Sequence, residues 1–187
     1  MGEPRNTIRI VNVVVSSSIG REVSLKQLAV TLDGAEYNPQ RFPGLVYRTT
    51  NPKAAALLFR SGKLVCTGGK SFDEARKGVE NAVQALKNVG VDVSGTPEIT
   101  VQNVVATADL HSFLNLNAIA VGLGLENVEY EPEQFPGLVY RLAKPKMVIL
   151  LFSSGKLVIT GGRKLEDVAS AVDQFVKELK GLSLMTT

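Results

Sequence analysis

The sequence predicts an α+β fold made of two copies of one β-α-β-β-β-β-α unit. Three observations predict it: a long stretch of chain occurs twice, the apolar residues fall in short runs joined by tight turns, and each copy holds two segments that open like helices. Phe42–Arg48 reads FPGLVYR, and Phe135–Arg141 reads the same 93 residues later. Across Glu36–Gly69 and Glu129–Gly162, 23 of 34 aligned positions are identical. Upstream, Asn12-Val13-Val14 matches Asn103-Val104-Val105 at an offset of 91. A duplication this long and close implies one structural unit used twice. Two copies are too few for a solenoid, so the expectation is a single, dimer-like domain over residues 1–187 with a pseudo-two-fold axis. Repeat one covers about 7–91 and repeat two about 98–182.

Each element has its own signal. Thr7–Ser16 is rich in β-branched residues and reads as a strand. Ser24-Leu25-Lys26-Gln27 is a capping box opening a helix to about Leu32. The fragment around Ala35–Asn38 supplies the weakest strand, and apolar runs follow at Leu45–Arg48, Ala54–Phe59 and Lys63–Thr67. Arg60-Ser61-Gly62 turns the chain between the last two. Ser71-Phe72-Asp73-Glu74 is a second capping box, and Ala75, Val79, Ala82, Val83 and Leu86 follow at helical spacing. Asp92–Pro97 links this copy to the next, which starts near Glu98.

Composition narrows the class. A hydrophobic fraction of 44% with 21% charged residues is ordinary for a globular protein in water. One cysteine, Cys66, excludes an internal disulfide and fits a reducing compartment. No run of about 18 apolar residues appears, and the opening MGEPRNTIRI lacks an apolar signal region, so an intracellular protein is expected. The net charge of +3 is unevenly spread. Residues 1–95 hold 13 Lys and Arg against 8 Asp and Glu, whereas residues 96–187 hold 8 against 10.

The helices can cover only one face of the sheet. Alternate residues of a strand point to opposite sides. Val11, Val13 and Val15 therefore share one face, and Asn12, Val14 and Ser16 the other. In the hairpin, Leu58, Leu64 and Cys66 fall on one side, with Leu57, Phe59, Val65 and Thr67 opposite. If the first set packs beneath helices, the second is an apolar face that nothing else in the chain covers, which marks a binding surface. The second copy repeats it through Asn103, Val105, Leu150, Phe152, Val158 and Thr160. This face reads as free of acids, so it offers no general acid–base chemistry. The minor groove of A·T-rich DNA fits it, with apolar sugar walls and only N3 and O2 acceptors on its floor. Asn and Thr can donate to those acceptors, Val and Leu would clash with a guanine amine, and paired Phe side chains could wedge between base steps. Arg41, Arg48, Lys53, Lys63, Lys70, Arg141, Lys156 and Arg163 lie at the margins, where phosphates would run. A protein-docking face is the other reading of the same apolar surface.

Taken together, NVV at Asn12 and Asn103, E-Y-x-P at Glu36 and Glu129, FPGLVYR, L-x-F-x-S-G-K-L-V and T-G-G mark a resemblance. From about Thr7 to Leu182 the chain resembles the TATA-box-binding proteins, a family of general transcription factors, and its short N-terminus resembles the archaeal type. That family is itself a type example of minor-groove bending. The resemblance implies a saddle-shaped, curved antiparallel sheet with helices on its convex face and DNA beneath the concave one. It implies intercalating pairs at Phe42 with Phe59 and Phe135 with Phe152. It implies base contacts at Asn12, Val14, Leu57, Val65 and Thr67, and at Asn103, Val105, Leu150, Val158 and Thr160. Arg48, Ser61, Lys63, Arg141, Ser154 and Lys156 match positions at or near phosphates. Glu131, Glu133 and Gln134 match the loop that holds transcription factor B, where the first copy has Asn38, Gln40 and Arg41. RNA polymerase would join through the resulting complex. The implied location is cytoplasmic, with the nucleoid of an archaeon, or nuclear in a eukaryote. Both copies read Phe-Pro-Gly at the wedge, so orientation on a promoter is expected to come from partners more than from the DNA face. The acidic tail common in archaeal members is absent from Ser183–Thr187.

Other chemistry finds little support. No enzyme activity, cofactor or metal is expected. His111 stands without a Cys, Asp or second His at ligand spacing and reads as a surface residue. Cys66, replaced by Ile159 in the other copy, reads as a small core residue. Gly69-Lys70-Ser71 lacks the first glycine of a phosphate-binding loop, since Leu64 stands there.

Overall fold

The computed structural model describes residues 3–95 and 97–185. Of the segments considered above, Met1, Gly2, Thr96, Thr186 and Thr187 lie outside the described residues. Two compact units emerge, one of residues 11–102 and the other of residues 1–10 with 103–187.

The fold is α+β, and each unit carries the β-α-β-β-β-β-α order. The first copy comprises β1 (Arg9–Ser18), α1 (Leu25–Thr31), β2 (Ala35–Glu36), β3 (Leu45–Thr50), β4 (Lys53–Leu58), β5 (Lys63–Gly69) and α2 (Phe72–Asn88). The second comprises β6 (Thr100–Asp109), α3 (Leu116–Leu123), β7 (Val128–Glu129), β8 (Leu138–Ala143), β9 (Lys146–Leu151), β10 (Lys156–Gly162) and α4 (Leu165–Gly181). Strands run in the order β2-β3-β4-β5-β1 in one unit and β6-β10-β9-β8-β7 in the other. All pairings described within a unit are antiparallel.

The first strand begins later than its composition suggests. Pro4–Thr7 forms a 3₁₀ turn instead, with Pro at its start, and the Thr7 hydroxyl donates to the Pro4 carbonyl at 2.6 Å. Proline suits a helical start because its missing N–H has no partner there. Both capping residues of the first copy perform as expected. The Ser24 and Ser71 hydroxyls accept from the N–H groups of Gln27 and Glu74, at 3.3 and 3.1 Å. Glu74 reaches back one residue further than a standard box, its carboxylate accepting from Lys70 N–H at 2.8 Å. Asn115 caps α3 in the same manner, with its Oδ1 accepting from Ala118 N–H at 3.1 Å.

Alternation decides the core. Val13, Val15, Leu58, Leu64 and Cys66 are buried under α2 with Ala75, Val79, Ala82 and Leu86. Val11, though on that side by alternation, is 40% exposed. Gly78 lets α2 approach closely, since a Cβ there would stand 2.7 Å from Cys66 Sγ. In the second unit Ile159, Leu157, Ile149 and Leu151 meet Val168, Val172, Phe175 and Leu179. Gly62 and Gly155 close the β4–β5 and β9–β10 hairpins at φ +86 and +84, a conformation that disfavours any side chain. Both press on a neighbouring carbonyl, of Arg21 and Ser112 respectively, so neither has room for a Cβ.

Candidate nucleic-acid interface

Helices cover one side of each unit's sheet and leave the other side open. Paired residues of neighbouring strands point to the same side, so register defines that open face. In the second unit one row runs Val139, Leu150, Val158, Thr107, and the next runs Arg141, Val148, Thr160, Val105. In the first, Val46, Leu57, Val65 and Ser16 form one row, and Arg48, Ala55 and Thr67 lie in the next. The predicted face residues Asn12, Val14, Leu57, Val65 and Thr67 are half-buried, as are Asn103, Val105, Leu150, Val158 and Thr160. Val46, Ala55, Val139 and Val148 share this face without having been singled out. Strict alternation outward from Arg48 and Leu57 would have found them.

One feature of the face differs from expectation. It is not free of acids, because Glu36 pairs with Val46 and Glu129 with Val139, which turns both carboxylates to the open side at the sheet edge. Two-residue edge strands were too short for their faces to be read from sequence. Glu129 Oε1 lies 3.1 Å from Arg141 Nη2, and Glu36 Oε2 lies 4.0 Å from Arg48 Nη2. Such exposed pairs are weak in water, so either guanidinium can shift to a phosphate at small cost.

The two asparagines are held in one orientation. Asn12 Oδ1 accepts from Gly68 N–H at 2.8 Å, and Asn103 Oδ1 accepts from Gly161 N–H at 2.8 Å. A backbone N–H can only donate, so the amide oxygen faces it and the NH₂ group is assigned to the other side. Nδ2 donates to the threonine hydroxyl, at 3.0 Å for Thr67 and 3.1 Å for Thr160. One amide hydrogen remains for an acceptor on a ligand, while each threonine hydroxyl lies within donating distance of the amide oxygen, 3.3 Å for Thr67 and 3.4 Å for Thr160. The bulges between Val13 and Val15 and between Thr160 and Gly162 bring this about, because they turn the glycine N–H groups out of the ladder.

The phenylalanines form two edge-to-face pairs. Phe42 and Phe59 have ring centroids 5.8 Å apart at 65°, and Phe135 and Phe152 are 5.9 Å apart at 71°. The glycine of each Phe-Pro-Gly makes the pair possible. A Cβ on Gly44 would meet Phe42 Cε1 at 2.7 Å, and one on Gly137 would meet Phe135 Cε1 at 2.7 Å. Phe135 is 40% exposed.

Around this face Arg41, Lys63, Lys70, Lys156, Arg163, Ser61 and Ser154 are exposed at turns and strand ends. Glu131, Glu133 and Gln134 are exposed in the loop before Phe135, and the Glu131 carbonyl accepts from the N–H groups of Gln134 and Phe135. His111 is exposed, as expected of a surface residue, and its Nδ1 lies 3.6 Å from Asp109 Oδ1. Sequence spacing missed this contact because His111 adopts a left-handed φ of 53, which folds it back over Asp109. Among the described residues no three His, Cys, Asp or Glu side chains are grouped to hold a metal. No helix among them is long and apolar enough to cross a membrane. Burial pushes the Cys66 thiol up to about 11, as suits a residue enclosed in the core.

Known proteins resemble this chain along nearly its whole length. The family model described as transcription factor TFIID (or TATA-binding protein, TBP) matches residues 7–89 and 98–182. The TATA-box-binding protein of Haloarcula marismortui is 57% identical over 185 residues, covering 99% of this chain and 100% of that protein. That of Archaeoglobus fulgidus is 57% identical over 178 residues, covering 95% and 97%. The solved structure of Methanococcus jannaschii TBP superposes with a TM-score of 0.84 at 52% identity, covering 93% of this chain and 98% of that one.

Proposed function

The chain belongs to the TATA-binding protein family of transcription factors, and from that premise we propose that it binds an A·T-rich promoter box through the minor groove. The observation that carries this reading is the pair of anchored asparagines. Each presents a fixed donor from the middle of an apolar face, and the floor of an A·T minor groove offers acceptors alone. The Phe42–Phe59 and Phe135–Phe152 pairs wedge between base steps, and the kinked groove opens onto Leu57, Val65, Leu150 and Val158. Unstacking costs a few kcal/mol per step and is offset by the wider contact that the bend permits. Guanine is disfavoured because its amine fills the space that the valines require. Arg41, Arg48, Ser61, Lys63 and Lys70, with Arg141, Ser154, Lys156 and Arg163, meet phosphates.

The exposed loop at Glu131, Glu133 and Gln134 receives transcription factor B, and RNA polymerase follows into the complex. The first unit has Asn38, Gln40 and Arg41 in the matching loop, so only one end carries an acidic handle. The protein acts without catalysis or a cofactor, at the nucleoid of an archaeal cell.

The test uses a duplex with a central A·T box labelled at both ends for energy transfer. Binding weakened by salt, with a gain in transfer that is lost on a G·C box and with Phe135→Ala, is the expected result. Equal binding to both duplexes without bending would overturn the reading and leave the face to a protein partner.

A further inference from the structure

The open face of each unit carries an anion of its own beside a cation. Glu36 pairs with Val46 and Glu129 with Val139, so both carboxylates stand on the open side in the outermost strand of their unit, β2 or β7. Arg48 and Arg141 lie two residues further along the neighbouring strand, on the same side. Glu129 Oε1 reaches Arg141 Nη2 at 3.1 Å, and Glu36 Oε2 stands 4.0 Å from Arg48 Nη2. All four side chains are at least 60% exposed. Pairs as open as these add little to stability, so the fold does not need them. Both units nonetheless place an acid at the margin where a polyanion would lie.

Resting on the DNA-binding reading proposed above, we infer that Glu36 and Glu129 compete from within the molecule for the phosphate-facing arginines and so lower its sequence-independent hold on DNA. A guanidinium attracts phosphate whatever the base sequence. In the free protein the carboxylate occupies that guanidinium and cancels its charge at a distance. When a phosphate takes over Arg141, breaking the exposed pair costs little, but Glu129 is left beside the phosphate strand. Its charge keeps a cation there in place of the one that Arg141 displaces. Each exchange therefore releases almost no net counterion, and counterion release is what drives sequence-independent binding. The asparagine donors and the apolar rows take no part in this exchange. Contacts that read the box are thus left with a larger share of the total affinity.

The test replaces both carboxylates, Glu36→Gln with Glu129→Gln, and sets the variant against a control of equal charge, Glu80→Gln with Glu166→Gln. Glu80 and Glu166 are exposed on α2 and α4, the helices on the other side of the sheet. Anisotropy titrations on an A·T-box duplex and its G·C counterpart run from about 50 to about 200 mM salt. Without the two retained cations, the plot of log affinity against log salt steepens by about 1.8, twice the value for one phosphate. Over that range the face variant loses about twelvefold more affinity than the unmodified protein. The control keeps the slope of the unmodified protein. An unchanged slope in the face variant, or equal steepening in the control, overturns the inference, and a preference for the A·T box in the same titrations leaves the underlying reading in place. Absence of that preference in the unmodified protein overturns the underlying reading, and the inference with it.

Discussion

Replacing Asn103 by Asp separates the fold from the recognition at one atom. The two side chains have the same shape, and a carboxylate oxygen accepts from Gly161 N–H as the amide oxygen does at 2.8 Å. Thr160 Oγ1, 3.1 Å from Nδ2, turns its hydroxyl to donate where it had accepted. Both internal contacts survive, so stability stays within about 0.5 kcal/mol of the parent, as for surface changes that leave no group unpaired. What disappears is the remaining amide hydrogen, and a negative charge takes its place against groove acceptors. Loss of one directed base contact costs about 1–3 kcal/mol, or about fivefold to 150-fold in affinity. Charge repulsion places Asn103→Asp at the upper end of that range. Fluorescence anisotropy on an A·T-box duplex at fixed salt measures it, with thermal melts in parallel. Affinity within twofold of the parent, in a protein of unchanged stability, would refute the directed-donor argument.

Three further outcomes follow from the geometry. Gly137→Ala places a Cβ 2.7 Å from Phe135 Cε1 and displaces that ring, so energy transfer on the A·T box falls while the melting temperature changes little. Lys156→Ala weakens binding alike on all sequences and lowers the slope of log affinity against log salt by about one, as titrations at several salt concentrations would record. Tyr140 donates to Glu178 Oε2 at 2.6 Å, and burial, followed by that carboxylate, pushes its phenol up to about 12. A pKa raised on folding gives stability that is complete below the ordinary value of about 10 and is lost as pH rises through 12. Denaturant titrations therefore show stability falling between about pH 10 and pH 12, and a smaller fall in Tyr140→Phe.

Legibility in the sequence varied with the physics behind each feature. Period-two alternation runs through Asn12–Ser17 of β1, Asn103–Ala108 of β6 and the first five residues of β5 and β10, so the sides taken by Val13 and Val15, and by Asn12 and Val14, could be read directly. Serine before a helical run located α1 and α2 for the same local reason. Features that depend on pairing could not be read this way. The faces of Glu36 and Glu129 follow from the register of a two-residue strand, and alternation needs a longer run. The amide orientation of Asn12 and Asn103 depends on glycine N–H groups 56 and 58 residues away, freed by bulges that leave no residue signature. The turn at Pro4–Thr7 was hidden because Thr7 and Ile8 are good strand residues, and proline overrode them.

That turn has a consequence for how the molecule is made. The Thr7 hydroxyl accepts from Asp109 N–H at 2.7 Å, and Arg5 pairs with Asp173 at 3.0 Å. Residues 3–10 thus belong to the unit completed by 103–187, although they leave the ribosome ahead of residues 11–102. Residues 11–102 can assemble as soon as they emerge, since compact units fold in the order of synthesis. The opening segment must wait, tethered to a finished neighbour, until α4 has been translated. A segment made before a whole unit is thus placed after it.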